Sequence, residues 1–477
     1  MTATATTWET VIGLEVHCEL ATATKLFCSC ANAFGAEPNT NVCPVCLGLP
    51  GSLPVLNRRA VELAMRLGRA LHCTVLPSVF HRKNYFYPDM PKDYQISQYD
   101  APVNVDGWLE LPDGTRVGIE RAHLEEDTGK STHVGGGGRI HEASSTLVDY
   151  NRAGVPLVEI VSRPDLRSAE QARAYVNELR AILVATGASD ARMEEGSLRV
   201  DANVSVRPLG SDAFGTRCEI KNLNSVRSLG RAIEFEAARQ VALVEEGGRV
   251  VQETRHWDEA DGRTHTLRSK EEAYDYRYFQ EPDLVPLAPE EAWVAAVDAA
   301  LPALPAERRA RLAAAAGVDA RSPSVAVIVG RDLDGLALGA IGAGADPARV
   351  LTRVEHDLAV AGAAAVAPAD LAAVVDMEAA GRLTATQAKA VLADLVAGAG
   401  SPEEIVARRG FVAMGEDDLA AAVDAAVAAD PAAWARYAAG NDKAAGAIVG
   451  AVMKATKGKA NGQAVTALLQ ARRDAAG

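Results

Sequence analysis

Up to about residue 290 the chain alternates apolar and polar positions in short runs, and beyond it the alternation disappears. In "LRVDANVSVR", Val200, Ala202, Val204 and Val206 share one side of an extended chain and Arg199, Asp201, Asn203, Ser205 and Arg207 the other, because successive side chains of a strand point to opposite faces. "GTRCEIKNL" repeats the scheme with Arg217, Glu219 and Lys221 on its polar side. Val11 to Leu20 sets Leu14, Val16, Cys18 and Leu20 toward a core and Glu15, His17 and Glu19 away from it. "VNVDGWLELPDGTRVGIE" reads as three strands joined by two Asp-Gly turns. Three helices are predicted among the strands. The first is capped by Asn57 and runs to about Leu71. The second opens at Ser168 with Gln171 as a capping box and turns Ala172, Tyr175, Val176, Leu179, Ile182 and Leu183 inward. The third opens at Ser225, turns Val226, Leu229, Ile233, Ala237, Val241 and Val244 inward, and stops at Gly247-Gly248. Strand runs with interspersed helices predict an α+β fold class with a mostly antiparallel sheet.

After residue 290 alanine dominates, and helix-start signals recur at Asp346-Pro347, Thr384 with Gln387, Ser401-Pro402 with Glu404, and Asp430-Pro431. "RRGFVAMGEDD", around 408 to 418, reads as a joint between helical units. The expected organisation is a mixed domain over 1–292, a helical domain over 293–407 and a small helical tail over 408–477.

A length of 477 residues agrees with two to four domains, and 48% apolar with 23% charged residues is the balance of a soluble globular protein. No apolar run approaches the roughly 20 residues needed to span a bilayer, and "MTATATTWETV" has no basic segment leading into an apolar one, so a cytoplasmic location is expected. The net charge of -14 disfavours coating of nucleic acid by a general positive field. From Asn441 to Gly477, however, six cations (Lys443, Lys454, Lys457, Lys459, Arg472 and Arg473) stand against Asp442 and Asp474, a local excess of four.

Four of the seven cysteines form Cys28-x-Cys30 and Cys43-x2-Cys46 in a loop-like segment. Two close pairs suit tetrahedral zinc, and four sulfurs leave no open position, so the ion would be structural; reduced surface thiols are the plain alternative. "LEEDTGKS" contains Glu125, Glu126 and Asp127 before Gly129-Lys130-Ser131, but Leu124 stands where a phosphate-binding P-loop needs glycine, and that reading fails. A solvated loop or a magnesium site remains. Glu159 lies inside the apolar run after Val155, Leu157 and Val158, and Asp201 is flanked by Val200 and Ala202; a carboxylate so placed is paired, bound to a metal, or turned toward a cleft. Glu15, His17, Glu125 or Glu126, Glu159 and Asp201 together form an oxygen-rich set suited to a hard cation. One imidazole keeps manganese open beside magnesium, and phosphoryl transfer follows as the reaction class. In "HRKNYFYPDMPKDYQISQYD", Arg82, Lys83 and Lys92 interleave with Tyr85, Phe86, Tyr87, Tyr94 and Tyr99, a combination that suits a nucleotide or an RNA end as well as a packed loop. Neither a GxSxG elbow nor a Gly-flanked Ser-Ser pair is present.

"IGLEVHCEL", "KLFC", "FGAEPNTNVCPVCLGLPGSLPVLN", "RKNYFYPDMPKDYQISQYD", "LEEDTGKSTH", "LVDYNRAGVPLVEIVS", "MEEGSLRVDANVSVRP", "EIKNLNS", "YRYFQEPDL" and "IVGAVMKATKGKANG" resemble the B subunits of bacterial aspartyl/glutamyl-tRNA amidotransferases, over nearly the whole chain. The resemblance implies an ATP-dependent ligase. The side-chain carboxylate of Glu-tRNA(Gln) or Asp-tRNA(Asn) would be phosphorylated and then amidated with ammonia from a partner glutaminase, the A subunit, with a small C subunit joining the two. It implies a magnesium and ATP site on Glu15, His17, the Glu125-Glu126 pair and Glu159, with Asp201 beside them. Arg82, Lys83, Tyr85 and Lys130 are then the candidate nucleotide-binding groups. It also implies zinc on Cys28, Cys30, Cys43 and Cys46, and a tail that meets tRNA, with Lys443, Lys454, Lys457 and Lys459 as candidate contacts. Departures are Gln280 where proline is usual, the run Gly135 to Gly138, and "TRVEHDLAVAG" at 352–362. Two competing readings are a zinc-stabilised RNA adaptor without catalysis and a zinc hydrolase on Glu15 and His17, the latter lacking a second histidine at metal-ligand spacing.

Overall fold

The computed structural model describes residues 7–135, 143–269, 276–411, 415–456, 460 and 462–476. Strand β1 (Trp8–Glu19) is followed by β2 (Thr74–Val75), β3 (His81–Asn84), β4 (Tyr94–Ser97), β5 (Asn104–Glu110) and β6 (Arg116–Glu126). Then come β7 (Lys130–Val134), β8 (Ser145–Asp149), β9 (Pro156–Ser162), β10 (Leu198–Pro208), β11 (Cys218–Lys221), β12 (Glu253–Asp258), β13 (Arg263–Ser269) and β14 (Phe279–Gln280). Helices α1 (Arg58–Ala70), α2 (Ala169–Ala185), α3 (Val226–Glu245) and α4 (Glu291–Ala299) accompany them in one compact unit ending at Pro305. Twelve strands form one sheet in the order β13-β12-β11-β10-β1-β9-β6-β4-β3-β14, with β5 and β2 branching from β6; β7 and β8 make a separate hairpin ladder. The fold is α+β. Among the described residues all strand pairings are antiparallel except β11 with β12, the pair joined through α3, since parallel neighbours need a crossover connection.

Alternation in β1 and β10 is realised as predicted. Leu14, Val16, Cys18, Val200, Ala202 and Val204 are buried with Leu63, Met65 and Leu67 of α1 and Tyr175, Leu179 and Leu183 of α2 in one core. Asn57 and Ser168 cap α1 and α2 through backbone N–H groups of the first turn. Two local expectations change. Only the second Asp-Gly is a turn: Asp106-Gly107 lies inside β5, where a Cβ on Gly107 would stand 2.4 Å from Cys73 Sγ and from Leu71 O. That glycine serves close packing. In α3 the buried stripe passes from Leu229 and Ile233 to Glu236 and Gln240, leaving Val241 and Val244 half-buried. Glu236 is fully buried and accepts from Arg239 Nη2 (2.6 Å), Gln240 Nε2 (2.9 Å) and Thr264 Oγ1 (2.8 Å), with Arg255 Nε at 3.4 Å. Thr264 and Arg255 lie on β13 and β12, so a polar network joins helix to sheet edge where the predicted stripe was apolar. The first unit also runs past the texture change near 290, because α4 packs Trp293 and Val297 on the same core and Arg58 stacks 4.0 Å from the Trp293 ring.

The second unit contains α5 (Pro305–Ala316), α6 (Pro323–Gly330), α7 (Asp334–Gly342), α8 (Pro347–His356), α9 (Pro368–Ala379), α10 (Ala385–Val396), α11 (Pro402–Arg409), α12 (Glu416–Ala429), α13 (Pro431–Ala438), α14 (Ala445–Ala455) and α15 (Gly462–Ala476). The four start signals all cap helices: Asp346 and Asp430 accept from the first turn, and Thr384 with Gln387 and Ser401 with Glu404 form complete capping boxes. The described residues of this unit form two hydrophobic clusters, one from Leu312 to Ile405 and one from Leu419 to Leu469. Part of the predicted joint (412–414) and Gly136 to Gly138 lie outside the described residues. Within 352–362, Arg353 is buried against Glu378 (2.5 Å) and Asp357 (2.5 Å), an ion trio that ties α8 to α9. Among the described residues no helix is long and apolar enough to cross a membrane.

Removing the carboxylate of Glu236 would leave buried Gln240 and Thr264 and half-buried Arg239 without their shared acceptor, and would take one of two carboxylate partners from buried Arg255. Glu236→Ala is expected to lower unfolding free energy by about 3 kcal/mol, measured by urea denaturation. Burial opposes the Glu236 charge, but hydrogen bonds from Arg239 and Gln240 hold its pKa below the ordinary 4.5. Its contribution is therefore present above pH ~4.5 and lost as pH falls further, so the variant's deficit should shrink in acid.

Candidate functional site

Register places the candidate side chains. Across antiparallel strands, directly paired residues share a face, and the pairs here are Arg199–His17, His17–Glu159 and Glu159–His123. One row thus runs β10–β1–β9–β6 as Arg199, His17, Glu159 and His123. A neighbouring row carries Asp201 opposite Glu15, and Glu125 lies two residues beyond His123 on the same face. His17 Nε2 is 3.7 Å from both Glu125 Oε1 and Glu159 Oε2, and His123 Nε2 is 3.6 Å from Glu159 Oε2. One ligand atom from each of His17, Glu125 and Glu159 lies within 4.8 Å of the others. These gaps exceed a hydrogen bond and resemble the ~3–4 Å between two ligands held ~2.1 Å from a common ion. Among the described residues, neither ring nitrogen of buried His123 has a hydrogen-bond partner.

Two members of the cluster, His17 and Glu125, line a cleft of about 520 Å³ whose walls include Lys83, Tyr85, Asp127, Arg199, Asp201 and Lys221. Arg199 is held by Asp127 at 2.8 Å, and Lys221 by Asp201 at 2.7 Å and Glu219 at 2.9 Å. Burial dominates the electrostatics. It pushes Glu125 up to about 8, reinforced by Glu159, and holds His17 down at about 4 and His123 at about 3. Glu15 is raised by burial and by Glu159, and its carboxylate accepts from Asn203 Nδ2 at 2.9 Å. Asp201 is likewise raised by burial. Without a cation, this sheet face concentrates acid groups that resist ionisation.

Several candidates lie elsewhere. Glu126 alternates with Glu125 and faces the opposite side, where Lys92 Nζ donates to it at 2.5 and 2.7 Å and Ile96 N at 2.9 Å. Arg82, one residue from Lys83, is clamped by buried Glu281 at 2.7 and 2.8 Å. Lys130 is exposed on β7, opposite Asp149. Lys443 and Lys454 are exposed in the helical unit, whereas Lys457 and Lys459 lie outside the described residues. Sequence reasoning passed over His123, Arg121 and Arg199. The signal was present: Arg121, His123 and Glu125 repeat at every second position the acid–imidazole pattern of β1.

The four cysteines converge apart from the cleft. Cys46 Sγ is 3.5 Å from Cys28, 3.6 Å from Cys43 and 3.7 Å from Cys30. A zinc–sulfur length of ~2.3 Å at a tetrahedral angle gives sulfurs ~3.8 Å apart, so this arrangement can hold zinc.

Residues 10–295 match the GatB/GatE catalytic domain family, and residues 349–472 match the GatB domain family. The chain is similar to proteins named as the B subunit of aspartyl/glutamyl-tRNA(Asn/Gln) amidotransferase. In Frankia casuarinae the identity is 54%, covering 98% of this chain and 95% of the relative. In Salinispora arenicola it is 51%, covering 98% and 97%. In a Mycobacterium species (strain KMS) it is 50%, covering 97% and 96%.

Because Glu125 is raised from 4.5 to about 8, the folded chain holds a proton that the unfolded chain releases. The associated stability is full below pH ~4.5 and lost as pH rises to about 8. In EDTA, the thermal midpoint is expected to fall across that window, and Glu125→Gln to flatten the fall; millimolar Mn²⁺ should restore the wild-type midpoint at pH 8 and leave that of the variant unchanged.

Proposed function

The chain belongs to the GatB family, the B subunits of aspartyl/glutamyl-tRNA(Asn/Gln) amidotransferases, and we propose that its cleft performs the ATP-dependent activation and amidation in that reaction. The carrying observation is the meeting of His17, Glu125 and Glu159, from three strands, with His17 and Glu125 in the lining of a cleft that also carries Lys83, Arg199 and Lys221. A side-chain carboxylate does not react with ammonia until one of its oxygens becomes a leaving group. In the proposed sequence, a carboxylate oxygen of glutamate on tRNA(Gln), or of aspartate on tRNA(Asn), attacks the γ-phosphorus of ATP and ADP departs. Ammonia then adds to the acyl carbon, inorganic phosphate leaves and a proton is released.

The residues divide by what they can bind. Lys83, Arg199 and Lys221 present cations to phosphate oxygens, with Asp127 and Asp201 fixing the latter two. His17, Glu125 and Glu159 would hold a divalent cation, magnesium or manganese, whose chemistry when bound is to neutralise phosphate charge. Glu15 extends the acid row. Tyr85 offers a stacking surface on the cleft wall. Glu126, bonded to Lys92 and to the β4 backbone, acts as a positioning residue that holds the end of β6 so that Glu125 faces inward. Arg82 and Lys130, which do not line the cleft, are given no part in nucleotide binding. Zinc on the four thiolates would brace the loop from Cys28 to Cys46. Ammonia would come from the glutaminase (A) subunit, tied to this chain by the small C subunit, and exposed Lys443 and Lys454 would meet tRNA phosphates.

Two measurements test this reading. In the assembled enzyme, Glu159→Gln is expected to reduce ATP-dependent conversion of Glu-tRNA(Gln) or Asp-tRNA(Asn) by at least about 100-fold, with tRNA affinity kept. Unchanged conversion would favour the RNA adaptor. Lys454→Glu should instead weaken tRNA binding at every sequence alike and flatten its salt dependence by about one unit of slope, as filter binding across a salt series would read.

A further inference from the structure

Lys25 lies outside the cleft and is fully buried. Burying an ammonium ion is costly unless a counter-charge faces it. Among the described residues no carboxylate forms an ion pair with it; its Nζ donates to Asn41 O at 3.0 Å and to Cys46 Sγ at 3.5 Å. Cys46 is the sulfur that all three other cysteines approach, within 3.5 to 3.7 Å. Four thiolates around one Zn²⁺ carry a net charge of -2, which is itself expensive in a half-buried loop. The ammonium and the sulfur cluster therefore answer each other's cost.

We propose that Lys25 is the charge-compensating residue of the four-cysteine site. Its ammonium reduces the local charge from -2 to -1 and draws electron density from Cys46 Sγ, which slows attack by electrophiles and retains the ion. The backbone supports this placement. Lys25 N donates to Cys30 O at 3.0 Å, and Asn57 Nδ2, from the cap of α1, donates to Lys25 O at 3.2 Å. The residue thus joins the Cys28-x-Cys30 half of the loop to Asn41 and Cys46 of the other half. Groups hydrogen-bonded to metal ligands commonly set ligand strength in this way.

The proposal rests on the zinc reading above, and the test separates the two. The full-length protein is first assayed for zinc by elemental analysis; a chain purified without zinc and unable to take it up overturns the zinc reading itself. On zinc-loaded protein, N-ethylmaleimide adds a cysteine sulfur across its double bond, and the freed zinc is followed with a chromogenic chelator. Lys25→Gln keeps a donor for Asn41 O but removes the charge, and Lys25→Met removes both. Both variants are expected to release zinc about tenfold faster than wild type, with Lys25→Arg slower than either and all circular dichroism spectra alike. Lys25→Gln releasing zinc at the wild-type rate would overturn the proposal, as would a Lys25→Met defect that Lys25→Gln fully repairs, because the hydrogen bond and not the charge would then be the cause.

Discussion

In an antiparallel sheet, residues paired across strands point the same way, and this constraint decides which side chains of the chain can meet. Strand β1 has β10 on one side and β9 on the other, so the pairs His17–Arg199 and His17–Glu159 set an imidazole between a guanidinium and a carboxylate. Adding β6 brings His123 and Glu125 to the same face. A slip of one residue in β9 would turn Glu159 into the apolar core and Val158 into the cleft. The buried opposite faces, with Leu14, Val16, Val158 and Ile160 among them, oppose that slip. Core packing and site geometry are two faces of the same register.

That geometry is electrostatically unfavourable on its own. Acids and imidazoles are held at 3.6 to 3.9 Å, and burial opposes the charged forms of His17, His123 and Glu125, so the sheet face gathers groups that would avoid one another in solution. The walls supply the opposite sign, and they are braced: Arg199 by Asp127, Lys221 by Asp201 and Glu219. This meeting of acids with braced cations is what supports the proposed divalent ion and its phosphates. The same logic recurs at the four-cysteine loop, where Lys25 faces a sulfur cluster, and at Glu236, where a buried carboxylate is matched by two guanidinium groups. Each buried charge sits where two elements must be joined.

How far the site was legible followed from residue spacing. Glu15, His17, Glu159 and Asp201 stood out as acids and an imidazole inside alternating runs; all lie on one face of the sheet, with His17 and Asp201 in the cleft lining. The Glu125-Glu126 pair could not be divided by composition, but strand parity divides it once β6 is known to continue through Glu126. His123 was hidden because a lone histidine in an apolar strand resembles a core residue, and only the neighbouring strands show what it faces. Arg82 stands in an aromatic-basic block that suits a nucleotide as well as a packed loop; its partner, Glu281, is 199 positions away.

By itself the sequence determined the elements: alternating strands, capped helices, the change of texture near residue 290 and two cysteine pairs at metal spacing. These are local properties, set by side-chain period, capping chemistry and short ligand separations along the chain. The tertiary structure decided strand order, the face of each acid in the Glu125-Glu126 pair, the continuation of β5 through Asp106-Gly107 and the polar stripe of α3. Those outcomes depend on which distant segments pack together, because a side chain's partner across a sheet is chosen by register and burial, which no short window of sequence contains.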